Sequence, residues 1–250
     1  MTAKVGIFGL SGRMGQAIAT CLGEGVPGLT FFGGSSRTGQ MRACSLAEGS
    51  DVLIDFTTPE ALEAHLAAAI EHRRPLVVGT TGLSPAHMLT LEQAAKRIPL
   101  LYARNTSFGM TILNALVEKA AQLLADETPD RDVFEIHHHH KIDAPSGTAC
   151  QLAEAALKGA GEPLAPIPWY EPFSMPGKRP ESVIGIAALR SGQRPGEHTM
   201  HFSWGAETLS LTHITTDRRV FAQGALKAAN WLLTQKPGLY TMAHVLGLEG

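Results

Sequence analysis

Five short apolar runs, Val5 to Phe8, Leu29 to Phe32, Val52 to Phe56, Leu76 to Val78 and Leu100 to Tyr102, alternate with helix-patterned segments over the first hundred residues. A chain that alternates in this way builds a parallel sheet whose strands are joined by crossover helices. The helical segments are Arg13 to Leu22, Pro59 to His72 and Ser84 to Ile98. Pro59 and Pro85 fall in first turns, where a missing N–H costs nothing. A further helix runs from Thr111 to about Asp126. The period then changes, because Arg131 to His139, Ser182 to Arg190, His198 to Trp204 and Thr208 to Thr215 are strand-like with few helices between them. Gly161 to Pro180 holds six prolines and reads as a long irregular loop. Arg219 to Gln235 is helical again and returns to the first domain. The expected fold is α/β: a Rossmann-like dinucleotide-binding domain (1–108 plus 219–250) carrying an inserted α+β domain of mixed sheet (109–218). The two connections would form a hinge.

Composition narrows the partners. With 44% apolar and 18% charged residues and a formal net charge of -2, the chain has an ordinary globular make-up and no basic footprint for nucleic acid. Cys21, Cys44 and Cys150 share no metal-type spacing, and their odd number argues for a reducing compartment. The chain opens into Lys4-Val5-Gly6-Ile7-Phe8, a strand run rather than a secretory signal, and no apolar run approaches the roughly 20 residues that span a bilayer. A cytoplasmic protein with neither a membrane nor a nucleic-acid partner is expected.

Gly9-Leu10-Ser11-Gly12-Arg13-Met14-Gly15 follows the first strand and opens the first helix. Glycines there let the backbone approach a pyrophosphate, which then sits on the N–H groups of the helix start. Alone, such a turn is also compatible with a plain tight turn; as the first βα turn of an alternating chain it points to a dinucleotide. After the second strand comes Gly33-Gly34-Ser35-Ser36-Arg37, with no acid to bind a ribose 2'-hydroxyl. Arg37 is either a partner for a 2'-phosphate, which favours NADPH at least as much as NADH, or a solvated loop residue. The turns Gly79-Thr80-Thr81-Gly82 and Arg104-Asn105-Thr106-Ser107 also end strands, where ligands of open α/β sheets bind.

The run Glu135-Ile136-His137-His138-His139-His140-Lys141 is internal and strand-flanked, so it belongs to the fold and not to an expression tag. If it stays extended, His137, His139 and Lys141 share one face. Adjacent strand residues diverge, so no metal is expected. Asp143-Ala144-Pro145-Ser146-Gly147-Thr148 precedes an amphipathic helix, Ala149 to Lys158, that Ser146 or Thr148 can cap, with its free N–H groups directed back towards Lys141 as an anion pocket.

These residues together resemble the 4-hydroxy-tetrahydrodipicolinate (dihydrodipicolinate) reductase family of lysine and diaminopimelate biosynthesis. The matching stretches are 12–15, 51–60, 79–82, 105–109, 137–148 and Gly196-Glu197-His198-Thr199, which span nearly the whole chain. The resemblance implies an NADPH- or NADH-dependent oxidoreductase that reduces a small dicarboxylate, with His137 as proton donor and Lys141 as second catalytic residue. It implies substrate contacts from His138, Lys141, Gly147 and Thr148. Cofactor contacts would come from Gly9, Leu10, Ser11, Gly12, Arg13 and Met14, from Ser36 and Arg37, from Gly79, Thr80 and Thr81, and from Ala103, Arg104, Asn105 and Thr106. It also implies a homotetramer built through the inserted domain. Another two-domain NAD(P)-dependent amino-acid dehydrogenase, or a dinucleotide sensor without catalysis, are the alternatives; the sensor leaves the histidines and lysine unused.

Overall fold

The computed structural model describes residues 2–36, 39, 41–164, 169–170, 177–180 and 183–248. Along the chain these form β1 (Ala3–Phe8), α1 (Arg13–Glu24), β2 (Leu29–Ser35), α2 (Ala43–Gly49), β3 (Val52–Asp55), a 3-10 turn at Pro59–Ala61, α3 (Leu62–Glu71), β4 (Leu76–Val78), α4 (Pro85–Ala95) and β5 (Pro99–Tyr102). There follow α5 (Phe108–Leu123), β6 (Asp130–His137), α6 (Gly147–Gly159), β7 (Trp169–Tyr170), β8 (Ile184–Arg190), β9 (Gly196–Trp204), β10 (Glu207–Thr215), α7 (Arg219–Leu232), β11 (Gly238–Tyr240) and α8 (Met242–Val245). The chain divides into two compact units, Met1–Phe108 with Arg218–Gly250, and Gly109–Asp217.

The first unit is a six-stranded sheet in the order β11-β5-β4-β3-β1-β2, parallel throughout. Its strands are buried on both faces. Val5, Ile7, Val52 and Ile54 pack with Ile18 and Leu22 of α1 and Leu226 of α7, while Phe8, Leu53, Leu76 and Val78 pack with Leu46 of α2, Leu66 of α3 and Leu91 of α4. The winding reverses between β1 and β3, and a crevice opens at such a switch point beyond the carboxyl ends of the strands. Three elements escape sequence reading. α2 is seven residues long and buries only Leu46 and Ala47, too few to set a period; β11 and α8 are three and four residues long.

The second unit is a five-stranded mixed sheet, β10-β9-β6-β8-β7, with β6 antiparallel to β9 and parallel to β8. α6 lies on one face, where Ala149, Leu152, Ala153, Ala156 and Leu157 meet Val133, Ile184, Ile186, Met200 and Phe202. Removing the fully buried Leu152 side chain to Ala there costs about 2–5 kcal/mol. Two expectations need correction. The strand expected over Arg131 to His139 ends at His137. His138 N donates to Arg194 O at 2.8 Å, His139 N donates to Gly192 O at 3.2 Å, and Lys141 N closes a turn onto His138 O at 3.1 Å. The chain bends around the β8–β9 connection, so His137, His139 and Lys141 do not share a strand face. The loop expected over Gly161 to Pro180 carries a short strand, β7; residues 165–168 and 171–176 of it, and Ser182 of the next expected strand, lie outside the described residues.

Candidate active site

In the first unit, Gly9 leaves β1 with φ +85, and a Cβ on it would stand 2.9 Å from Phe56 O. A Cβ on Gly15 would stand 2.3 Å from Gly9 O. Only glycine lets α1 start this close to the turn. The helix start at Gly12 has no side chain capping it, so its N–H groups stay open to an anion. Beside it lies a cavity of about 740 Å³, bounded by Gly9, Ser11 and Gly12, by Ser35 and Ser36 after β2, by Met41 and Arg42 before α2, and by Phe56, Thr57 and Thr58 after β3. This volume, over an uncapped glycine turn, fits a dinucleotide.

Asp55 ties together two residues that line the cavity, Thr57 and His65. It is fully buried and accepts from Thr57 N at 2.9 Å, Thr57 Oγ1 at 2.6 Å and Thr80 Oγ1 at 3.4 Å, with His65 Nδ1 at 2.8 Å. The His65 ring stacks on Phe8 with centroids 4.0 Å apart. Thr80 therefore spends its hydroxyl on this network. The hydroxyl of Thr106 is likewise committed, donating to Phe221 O of α7 at 2.7 Å, and Asn105 Oδ1 accepts from Ser107 N at 2.9 Å. With both hydroxyl protons committed, a donor to a cofactor oxygen at Thr80 or Thr106 would be the backbone N–H. Leu10 and Met14 pack against the core, Gly79 and Ala103 are buried, and Arg13, Thr81 and Arg104 are exposed. Arg37 lies outside the described residues. Asp55, His65, Met41 and Arg42 were not singled out from the sequence.

In the second unit the buried face of β6 runs Arg131, Val133, Glu135, His137, so its apolar character gives way to two ionisable groups at the carboxyl end. Register sets Glu135 opposite His198 of β9 and His137 opposite Arg190 of β8. Glu135 Oε2 stands 3.4 Å from His137 Nδ1 and 3.6 Å from His198 Nε2, and Oε1 is 3.1 Å from Arg190 Nη2. The imidazoles of His137 and His198 meet edge to face at 4.9 Å. Room for them comes from Gly196, where a Cβ would stand 3.1 Å from His137 Nε2.

Ser146 caps α6: its hydroxyl accepts from Ala149 N at 3.1 Å, and its own N–H donates to Glu135 Oε1 at 3.0 Å. Thr148 stands inside the helix, which decides the capping residue. Burial alone would raise the Glu135 carboxyl, but the hydrogen bonds from His198 and Ser146 outweigh it and hold it at about 2. Burial pushes the His137 imidazole down to about 4, aided by His198, Lys141 and Arg190 and opposed by Glu135. Lys141 pairs with Asp143 at 2.7 Å. His139 turns away, its Nδ1 2.9 Å from Gly192 O. Of the residues around His137, the sequence carries His198 and Thr199 only within a matching stretch, and Glu135 and Arg190 only as ends of the runs Glu135 to Lys141 and Ser182 to Arg190, without a role.

The chain matches two consecutive family models, dihydrodipicolinate reductase N-terminus over residues 3–106 and dihydrodipicolinate reductase C-terminus over residues 109–246. It is 42% identical over 252 residues to the 4-hydroxy-tetrahydrodipicolinate reductase of Zymomonas mobilis, covering 99% of this chain and 98% of that protein. The Acidiphilium cryptum protein of the same name is 42% identical over 247 residues, 98% of each chain. Among solved structures, a dipicolinate-bound dihydrodipicolinate reductase from Paenisporosarcina sp. TG-14 superposes with a TM-score of 0.73 over 96% of this chain and 98% of that one, at 22% identity, which establishes the shared fold. Matched along both units by these models and by full-length relatives, the chain belongs to the dihydrodipicolinate reductase family.

Proposed function

We propose that this chain is an NAD(P)H-dependent reductase of 4-hydroxy-tetrahydrodipicolinate, acting in lysine and diaminopimelate biosynthesis. The observation that carries the reading is the buried Glu135–His137–His198 cluster beside Lys141 and the capped start of α6. It combines a proton carrier with an anion site, which a dicarboxylate requires and a sensor does not. The names of the full-length relatives support the same substrate.

A reduced nicotinamide, when bound, supplies the hydride. The loop Gly9 to Met14, Ser36 and Arg37, and residues 79–81 and 103–106 would hold that cofactor, as NADPH or NADH. The substrate enters as a dehydrated, conjugated cyclic imine with two carboxylates. Lys141 exchanges its partner Asp143 for a substrate carboxylate; Asp143 is 60% exposed, so the pair it gives up is worth little. The first-turn amides at Gly147 and Thr148 add donors, and His138 completes the contact. His137 delivers a proton to the carbon left basic by reduction. In the substrate-free protein His137 is neutral at pH 7. Two carboxylates arriving beside it favour the imidazolium, so the substrate helps load its own acid. Mixing chain, reduced cofactor and substrate tests the reading: stoichiometric cofactor oxidation is expected, and binding without oxidation would leave the sensor.

The face of the mixed sheet opposite α6 supports a homotetramer. It carries the exposed Leu189 and Ile214 beside the cross-strand pairs Thr199–Thr212 at 3.0 Å and His201–Ser210 at 2.8 Å. Apolar side chains flanking satisfied hydroxyl pairs suit burial against a second copy. Light scattering of Ile214→Arg, expected to give smaller species than the parent chain, tests it.

A further inference from the structure

Outside the lining of the dinucleotide cavity, three different ligand types meet on the surface of the first unit. Cys44, the second residue of α2, has its Sγ 3.1 Å from His72 Nε2 and 3.5 Å from Glu71 Oε2. These atoms all lie within 4.8 Å of one another. We propose that Cys44, Glu71 and His72 form a binding site for a zinc-class divalent cation. Neither the reductase chemistry nor the dinucleotide cavity uses these side chains.

Zinc bonds of about 2.3 Å to thiolate and about 2.0–2.2 Å to imidazole and carboxylate, held tetrahedrally, set their donor atoms roughly 3.6 Å apart. The Cys44–Glu71 separation already matches. The Cys44–His72 separation has to widen by about half an ångström, within reach of exposed side-chain rotamers. The helices are held in register by a separate device: Arg74, just past α3, donates from Nε to Ala47 O at 3.1 Å and from Nη2 to Glu48 O at 3.0 Å, tying the end of α3 to the end of α2. Glu71 and His72 also end α3, where the carbonyl dipoles favour a cation.

The donor set selects the metal. A thiolate, an imidazole and one carboxylate suit zinc or cobalt, whereas magnesium and calcium demand oxygen ligands. On binding, the Cys44 S–H bond breaks, its proton leaves to solvent and the sulfur lone pair forms the metal bond; water takes the fourth position. Arg42 and Ala43, immediately before Cys44, line the dinucleotide cavity, so the cation stands just behind its rim.

Titration of the full-length chain with Co²⁺ tests the proposal. One equivalent should produce thiolate-to-cobalt charge-transfer absorption in the near ultraviolet, displaced by Zn²⁺ and unaffected by excess Mg²⁺. Cys44→Ser should abolish the band, while Cys150→Ser keeps it. His72→Ala should weaken binding by more than the roughly 10- to 100-fold typical of outer-shell changes. All three side chains are surface groups, so each variant should fold and retain metal-free turnover. A band that survives Cys44→Ser, cobalt binding without a thiolate band, or unchanged affinity in His72→Ala overturns the assignment.

Discussion

Glu135 Oε2 sits 3.4 Å from His137 Nδ1, with both residues buried and the carboxylate held ionised at about 2. The contact is within ion-pair reach, yet Nδ1 makes no well-aligned hydrogen bond. It is poised to tighten when the imidazole gains a proton. Glu135→Gln removes that reserve of negative charge while keeping an acceptor in place. Turnover should fall, by less than the loss for His137→Ala, and the alkaline limb of the kcat profile, where the proton donor is lost, should move to lower pH. A kcat profile unchanged in shape would make Glu135 a purely structural residue.

His137→Ala and Lys141→Ala should each lower turnover by roughly 10²- to 10⁴-fold, the scale of a positioned acid or anion clamp. Cofactor affinity, read by fluorescence titration, should stay near the parent value. His139→Ala should be mild, because His139 is exposed and faces Gly192 O. Near-normal turnover in both of the first two variants sinks the assignment.

Loading of His137 by the substrate has a calorimetric signature. Binding of the proposed dicarboxylate substrate at about pH 6, without cofactor, should be accompanied by proton uptake, since an imidazole held at about 4 is pulled towards its ordinary value by two carboxylates. Binding enthalpies in buffers of different ionisation heat give the proton count. His137→Gln should bind without uptake; equal uptake in parent and variant would place the proton on another group.

The same two groups fix the response to acid. Folded, His137 gains its proton only near 4 against 6.5 ordinarily, and Glu135 near 2 against 4.5. Across both windows the unfolded chain binds more protons, so this stability is complete above pH 6.5 and drains as pH falls, first through His137 and then through Glu135. Urea midpoints should drop between pH 6.5 and 4, and His137→Gln should flatten that upper part of the curve.

What the sequence made legible follows from what is local. Each strand and helix of the βα alternation, the glycine turn and the Asp143 to Thr148 segment is a run of consecutive residues, visible as period or turn chemistry. Glu135, His198 and Arg190 come together only through strand register, and no run of residues carries register. The end of β6 was misplaced for a related reason. Histidines at 138 and 139 continue a strand-like pattern, but their N–H groups are taken by Arg194 O and Gly192 O on the neighbouring connection. Asp55 falls within the matching stretch 51–60, but its role is not visible there, because its partners Thr80 and His65 lie 25 and 10 residues away.

Cofactor choice turns on what faces a 2'-phosphate. No acid follows β2, where Ser35 and Ser36 line the cavity, and none of the described residues that line it is acidic, so none repels the phosphate. Arg37 was the cation expected from the sequence. Arg42 is a second one, brought to the same cavity by the short helix α2 that sequence reading passed over. A guanidinium meets a phosphate with charge-assisted, bidentate hydrogen bonds, whereas a ribose hydroxyl gains far less from it. NADPH should therefore be used at least as well as NADH. Arg37→Ala and Arg42→Ala should each lower kcat/KM with NADPH more than with NADH, and the double variant should exceed either. If Arg42 alone carries the discrimination, Arg37→Ala leaves the ratio of the two efficiencies unchanged while Arg42→Ala shifts it. A strong preference of the parent chain for NADH, or a ratio that neither variant moves, would mean that the 2' position is read by groups other than these two cations.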